Sequence, residues 1–69
     1  MKHLMSRNDF HAEKELDELK HRFFVELYHD GVTWNLKLTD HDDKSIVVNS
    51  SGDDLFEVFK TAYWNISVM

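Results

Sequence analysis

The chain has 69 residues, no cysteine, only two glycines and no long apolar run. The lack of cysteine excludes disulfide bonds and zinc sites that use thiolates. Two isolated glycines, Gly31 and Gly52, do not make a glycine-rich phosphate-binding loop. No segment approaches the roughly 20 apolar residues of a membrane helix, and the first residues do not resemble a signal peptide. We therefore predict a cytoplasmic protein that does not contact a membrane.

Basic residues are scarce in the second part of the chain. Residues 1–22 contain five acids and five bases, whereas residues 23–69 contain eight acids and three lysines, which gives 3 − 8 = −5. The whole net charge of −5 therefore lies in residues 23–69. Such a surface repels nucleic acid and anionic membranes, and it attracts basic surfaces.

The length of the chain fits a single domain. A hydrophobic content of 42% and an aromatic content of 13% are typical of a folded chain. We predict a flexible N-terminus over residues 1–8 and one domain over residues 9–69. A domain of this size has a marginal core, and oligomerisation is a common remedy, so we predict a homodimer.

The first helix is predicted over residues 9–22, with Ser6 or Asn8 as its N-cap. One narrow apolar stripe runs along it, and the other positions are mostly charged. The stripe consists of Ala12, Leu16, Leu19 and Phe23. We therefore expect this helix to lie on the surface with one edge docked.

A β-hairpin is the strongest local signal. Residues 23–29 and 32–39 are strand-like and flank Asp30-Gly31, a dipeptide typical of two-residue turns. A slip of one residue would move every side chain to the other face. The turn predicts three apolar cross-strand pairs on one face: Leu27 with Trp34, Val25 with Leu36, and Phe23 with Leu38.

A third strand is predicted over residues 44–49, after a polar turn at 40–43. A three-residue loop places Ile46 opposite Leu38 and Val48 opposite Leu36. A two-residue loop buries Val47 instead. We favour the first register because it buries two large side chains, and both registers stay open at this point.

A second helix follows, with Ser51 as its predicted N-cap and Asp54 at the third position of a capping-box pattern. Its broad apolar face consists of Leu55, Val58, Phe59, Ala62, Tyr63 and Ile66. The alternation at residues 66–69 is compatible with a short final strand. The order of elements predicts an α+β fold (αβββα) with a three-stranded antiparallel sheet and both helices on one face.

No motif of catalysis or metal binding is present. The five histidines lack the spacing of metal ligands, and the aspartates at 40–43 lack the glycine and glutamate of a calcium loop. No serine, histidine and aspartate can be linked from the sequence into a catalytic triad. We therefore predict no metal, no cofactor and no enzymatic activity.

Three aromatic side chains lie off the predicted apolar faces. Phe24 and Tyr28 point to the face of the sheet that the helices leave open, and Trp64 lies on the outer side of the second helix. One interpretation is that they are single surface residues or small satellite clusters, which are common. Because exposed aromatics are enriched at interfaces, we predict that Phe24 and Tyr28 form a dimer interface and that Trp64 contacts a partner.

Six carboxylates are predicted to form a surface that binds a basic protein. Glu26 or Asp30 extends this surface. The six are Asp40, Asp42, Asp43, Asp53, Asp54 and Glu57. They lie at the two ends of the third strand, roughly 20 Å apart, and two-fold pairing would double them into an extended array. The competing interpretation is a solvated surface that keeps a small protein soluble.

The order of elements over residues 9–65 resembles the double-stranded RNA-binding domain. That family opens its second helix with lysines that hold phosphates, whereas residues 50–57 here carry Asp53, Asp54 and Glu57. The resemblance therefore implies a shared topology, and the acids argue against direct binding of nucleic acid.

In size, acidity, lack of cysteine and layout, the chain also resembles small bacteriophage proteins that imitate DNA. Members of that class block the histone-like nucleoid protein HU, uracil-DNA glycosylase, RNA polymerase or CRISPR nucleases. The resemblance implies a phage-encoded inhibitor in the bacterial cytoplasm that covers the basic DNA-binding surface of a host protein, with HU as the first candidate. The alternative is a small homodimeric adaptor or regulatory protein that binds a protein partner through the open sheet face.

Overall fold

The computed structural model describes residues 6–68 and shows an α+β fold. The elements are a 3₁₀ helix (Arg7–Asp9), α1 (Ala12–Lys20), β1 (Phe23–His29), β2 (Trp34–Asp40), β3 (Val47–Gly52) and α2 (Leu55–Ser67). The strands form one antiparallel sheet in the order β1–β2–β3. The predicted order of helix, three strands and helix is confirmed.

The core lies between one face of the sheet and the two helices. Alternate strand residues point to this side, as the two-residue period of a strand requires. Leu38, Val58 and Phe59 are completely buried there, and Leu36 is 2% exposed. α1 packs mainly on β1 and α2 mainly on β3, so no helix within residues 6–68 covers the opposite face of the sheet, here called the open face.

The β1–β2 hairpin forms, but its predicted register is wrong by two residues. Leu27 pairs with Leu36 and Val25 pairs with Leu38, so the connection is a four-residue loop at 30–33. A shift by an even number leaves every side chain on its predicted face. The apolar face was therefore predicted correctly although the pairs were not.

The side chain of Asp30 is the reason for the longer loop. Its carboxylate accepts the backbone N–H groups of Val32 at 2.9 Å and Thr33 at 2.8 Å, while the Asp30 N–H donates to the Thr33 carbonyl. Within the loop at 30–33, only Gly31 has a positive φ, 99°, whereas the predicted turn needs two such residues. The N–H of Thr33 and then that of Val32 lower the pKa of Asp30 to about 2.

The third strand begins at residue 47 rather than 44. Val48 pairs with Leu38, whereas Ile46 stands before the strand, so this register is also displaced by two residues. The favoured parity, with Val48 inward, is confirmed because Val48 is buried. The next inward residue is Ser50, whose hydroxyl donates to the Val58 carbonyl at 2.7 Å and so satisfies a polar group in the core.

The first helix is shorter than predicted. α1 begins at Ala12, and Ser6 caps the preceding 3₁₀ helix by accepting the N–H of Asp9. Residues 6–8 were assigned to a flexible terminus, but Arg7 makes side-chain contacts with α2. Residues 1–5 of that predicted terminus lie outside the described residues.

The second helix also begins and ends later than predicted. Its N-cap is Asp54 rather than Ser51, because β3 continues to Gly52. The Asp54 carboxylate accepts the N–H of Glu57 at 2.9 Å. α2 runs to Ser67 and Val68 is its C-cap, so the suggested final strand is wrong for residues 66–68, and residue 69 lies outside the described residues.

Candidate functional site

The open face of the sheet is an array of nine side chains. The strand register places one residue from each strand in every row across the sheet. The rows are Phe24–Thr39–Val47, Glu26–Lys37–Asn49 and Tyr28–Asn35–Ser51. This open face is therefore mainly apolar at one end, charged in the middle and polar with one aromatic ring at the other end.

Phe24 and Tyr28 are both accessible on the open face, at 53% and 56% exposure. The Phe24 ring contacts His41 in the loop that precedes β3, with ring centroids 4.5 Å apart. The Lys44 ammonium of the same loop lies 5.7 Å from the Phe24 centroid. Large aromatic rings that stay exposed are typical of protein interfaces.

A concavity of about 570 Å³ lies beside Tyr28, and its lining includes residues of the open face together with Leu36, Ser50 and the α2 residue Thr61. Glu26, Asn35, Lys37 and Asn49 contribute to its lining. Glu26 and Lys37 oppose each other in the strand register, so this row carries no net charge. A partner in this concavity would meet two amide side chains, one acid, one base and the Tyr28 ring rather than an array of carboxylates.

Asp40 is buried, unlike the exposed carboxylate that the sequence analysis assumed. It is 7% exposed, and it accepts the backbone N–H groups of Asp42 at 2.8 Å and Asp43 at 3.1 Å. Arg22 Nε donates to its other oxygen at 3.2 Å. The N–H of Asp42 and then the Arg22 guanidinium hold the pKa of Asp40 below its usual range. Asp40 therefore anchors the loop and is not free to bind a partner.

Asp42 and Asp43 are the exposed acids of that loop. The Asp43 carboxylate accepts the Ser45 hydroxyl at 2.6 Å and the Ser45 N–H at 3.0 Å. The Ser45 hydroxyl and then its N–H lower the pKa of Asp43, which keeps it ionised. Both aspartates can therefore present a negative charge to solvent.

The acids at the start of α2 are partly neutralised within the chain. Arg7 Nη1 lies 2.9 Å from Asp54 Oδ2, and Arg7 Nη2 lies 3.4 Å from Glu57 Oε2. The N–H of Glu57 and then the Arg7 guanidinium lower the pKa of Asp54. Asp53 is exposed and takes part in neither ion pair.

Four of the exposed aspartates lie in two groups at opposite ends of the sheet. Asp42 and Asp43 precede β3, whereas Asp53 follows it. Asp30 lies at the same end as Asp53, because Trp34 pairs both with the last residue of β1 and with the last residue of β3. Six residues of β3 separate the two groups by roughly 20 Å. We call the two groups, Asp42 with Asp43 and Asp30 with Asp53, the acidic ends.

Trp64 lies on the surface of α2 and is 63% exposed. Val68, the C-cap of α2, is also exposed, at 61%. Since α2 packs on the covered face of the sheet, Trp64 does not belong to the open face. It is therefore a separate candidate for partner contact.

Two arginines near the start of the chain were not singled out by the sequence analysis, although they determine which acids are free. Arg22 binds Asp40 across 18 positions of the chain, and Arg7 binds Asp54 across 47. Local spacing does not reveal such pairs. The one available signal is that residues 1–22 hold all the arginines of the chain.

Comparison of the chain with protein-family models, with curated proteins and with solved structures found no match. Among residues 6–68, no three side chains of histidine, cysteine, aspartate or glutamate form a group that could hold a metal ion. In that same part of the chain, no helix is both long enough and apolar enough to cross a bilayer.

Proposed function

We propose that this domain is a non-enzymatic inhibitor that pairs through its open face and presents its acidic ends to the basic surface of a nucleic-acid-binding protein. One observation carries the proposal: the sheet has an open face with exposed aromatics and no net charge, and it has exposed aspartates at both of its ends. The net charge of −5 adds long-range attraction to a basic partner.

The open face has the chemistry of a self-complementary interface. Glu26 and Lys37 share its middle row, so a two-fold arrangement can set Glu26 of one subunit against Lys37 of the other. Phe24 and Tyr28 would lose their contact with water in the same arrangement. A second copy would thus cover the apolar end and compensate the charged row.

Pairing would leave the acidic ends free and double their number. Lysines and arginines in a DNA-binding groove attract phosphates by charge, and carboxylates can compete for them. Asp30, Asp42, Asp43 and Asp53 carry the charge in this proposal, since Asp40 is buried and Arg7 binds Asp54 and Glu57. A histone-like nucleoid protein such as HU is the first candidate target.

We expect the wild-type protein to sediment as a dimer in analytical ultracentrifugation. The double variant Phe24→Ser/Tyr28→Ser should sediment as a monomer with an unchanged circular dichroism spectrum, because both side chains are exposed in the single chain. Val32→Ser is the matched control, since Val32 is 79% exposed in the loop at 30–33 and lies off the open face. A monomeric wild-type protein would contradict pairing.

The acidic ends are tested by displacement of a labelled DNA duplex from HU. The triple variant Asp42→Asn/Asp43→Asn/Asp53→Asn should compete about tenfold less well than the wild-type protein at about 50 mM salt. Wild-type competition should itself fall steeply between about 50 mM and about 200 mM salt. Asparagine keeps the carbonyl oxygen that accepts the Ser45 N–H, so the loop is preserved.

A second triple variant separates position from total charge. Glu13→Gln/Asp17→Asn/Glu18→Gln removes three exposed charges from the first-helix region and gives the same net charge, −5 + 3 = −2. It should compete almost as well as the wild-type protein. Equal losses in the two triple variants would show that the acidic ends have no special role.

The alternative function, an adaptor that binds a different protein through the open face, is favoured by the concavity beside Tyr28. Its lining offers hydrogen-bonding groups and compensated charges, so such binding would depend little on salt. Two results together would favour the adaptor over the inhibitor. The wild-type protein would fail to displace DNA at low salt, and it would capture a protein independently of salt, whereas Phe24→Ser/Tyr28→Ser would not.

A further inference from the structure

Residues 6–10, here called the N-terminal segment, lie on α2 through two side chains. The Phe10 ring meets Phe56 and Phe59 edge-on, with centroids 5.8 Å and 5.4 Å apart. The Arg7 guanidinium lies 4.5 Å from the centroid of Phe56. Arg7 and Phe10 are three positions apart, and both use the same helix.

The surface under this segment combines three kinds of contact. The rings of Phe56 and Phe59 both meet the edge or face of the Phe10 ring. The face of Phe56 accepts the Arg7 guanidinium, and two carboxylates bind the N–H groups of the same guanidinium. Those carboxylates, Asp54 and Glu57, lie 2.9 Å and 3.4 Å from Arg7. The combination fits a guanidinium with a neighbouring aromatic ring and does not rest on acidity alone, although Lys60 Nζ also lies 5.5 Å from the centroid of Phe56.

The ion pairs that attach the N-terminal segment are open to water, whereas the Phe10 ring packs against the core. The segment's own backbone hydrogen bonds, between Asp9 and Ser6 and between Phe10 and Arg7, stay inside the segment. The side chain of Arg7 is 60% exposed, and its two carboxylate partners are 49% and 44% exposed. Ion pairs so open to water add little stability, so an incoming arginine can replace Arg7.

We propose that the α2 surface formed by Asp54, Phe56, Glu57 and Phe59 is a binding site for a segment of another protein that carries an arginine and an aromatic residue three positions apart. Arg7 and Phe10 occupy this site within the chain and compete with that segment. The apparent affinity for the partner is then reduced by the fraction of molecules in which the site is free. This inference goes beyond the inhibitor function and requires neither the acidic ends nor the open face.

The test uses the labelled hexapeptide Ser-Arg-Asn-Asp-Phe-His, which copies residues 6–11, and fluorescence anisotropy with the full chain. The variant Arg7→Gln/Phe10→Ser should bind the peptide about tenfold more tightly than the wild-type protein, because its own segment no longer fills the site. Arg7→Gln alone should give a smaller gain, and it serves as the test if the double variant does not fold by circular dichroism.

Two further changes show whether the peptide uses the proposed contacts. Asp54→Asn/Glu57→Gln, added to the variant that binds best, should return the affinity to the wild-type level or below, while asparagine still caps α2. A peptide with glutamine in place of arginine should not bind. The proposal is overturned if a folded Arg7 variant binds no more tightly than the wild-type protein, or if loss of both carboxylates leaves the affinity unchanged. The proposal would also be overturned if the wild-type protein is a dimer and Arg7→Gln alone makes it a monomer. In that case the N-terminal segment would bind a second copy of the chain.

Discussion

Phe59→Ala is expected to remove most of the free energy of unfolding. Phe59 is completely buried and is the largest of the fully buried side chains. Truncation of such a ring costs about 3–5 kcal/mol. At about 0.05–0.15 kcal/mol per residue, a chain of 69 residues has roughly 3–10 kcal/mol in total. Urea denaturation followed by circular dichroism measures the change.

Trp64→Ala is the matched control for this prediction. It removes another large aromatic ring from the same helix, but Trp64 is 63% exposed. We expect its free energy of unfolding to stay within about 0.5 kcal/mol of the wild-type value. A loss as large as that of Phe59→Ala would mean that Trp64 is covered, either by this chain or by another molecule.

The faces of the sheet and of α2 were predictable because they follow from period alone. Leu36 and Leu38 face the core in the predicted and in the observed register, since the two registers differ by two residues. Val58 and Phe59 were placed correctly by their helical spacing. Periodicity averages over several residues, so one unexpected loop does not reverse it.

The pairings were not predictable because single side chains determined them. The dipeptide Asp30-Gly31 is typical of a tight two-residue turn. The Asp30 carboxylate, however, accepts two backbone N–H groups and lengthens the loop. Phe56 was absent from the predicted apolar face, but Phe10 and Arg7 cover it, so it is 8% exposed. These contacts join parts of the chain that local patterns treat separately.

The candidate site was predictable only in outline. Exposure of Phe24 and Tyr28 follows from strand parity, and the structure shows it. A distant arginine binds each of Asp40, Asp54 and Glu57, so the charge count overstated the number of acids available to a partner. Asp40 shows this most clearly, because Arg22 reaches it from the end of the first helix. This carboxylate is also a source of stability that can be measured.

Asp40→Ala is expected to lower the melting temperature by about 5 °C or more. The change leaves the N–H groups of Asp42 and Asp43 without their acceptor and removes the ion pair with Arg22. Asp40→Asn should lie between Asp40→Ala and the wild-type protein, because asparagine still accepts the N–H bonds but carries no charge. Asp42→Asn should have little effect, since this side chain is exposed.

The pH dependence of stability gives a second measure of the same carboxylate. The pKa of Asp40 is lowered in the folded state from the ordinary value of 3.8, first by the N–H of Asp42 and then by Arg22. A lowered pKa contributes stability above the unfolded value, and that stability is lost as the pH falls through the folded pKa. Asp30, whose pKa is about 2, acts in the same direction. The wild-type melting temperature should therefore fall below about pH 4, and the fall should be less steep in Asp40→Asn. Parallel curves for the two proteins between about pH 4 and about pH 2 would show that Asp40 titrates normally and that Arg22 does not hold it.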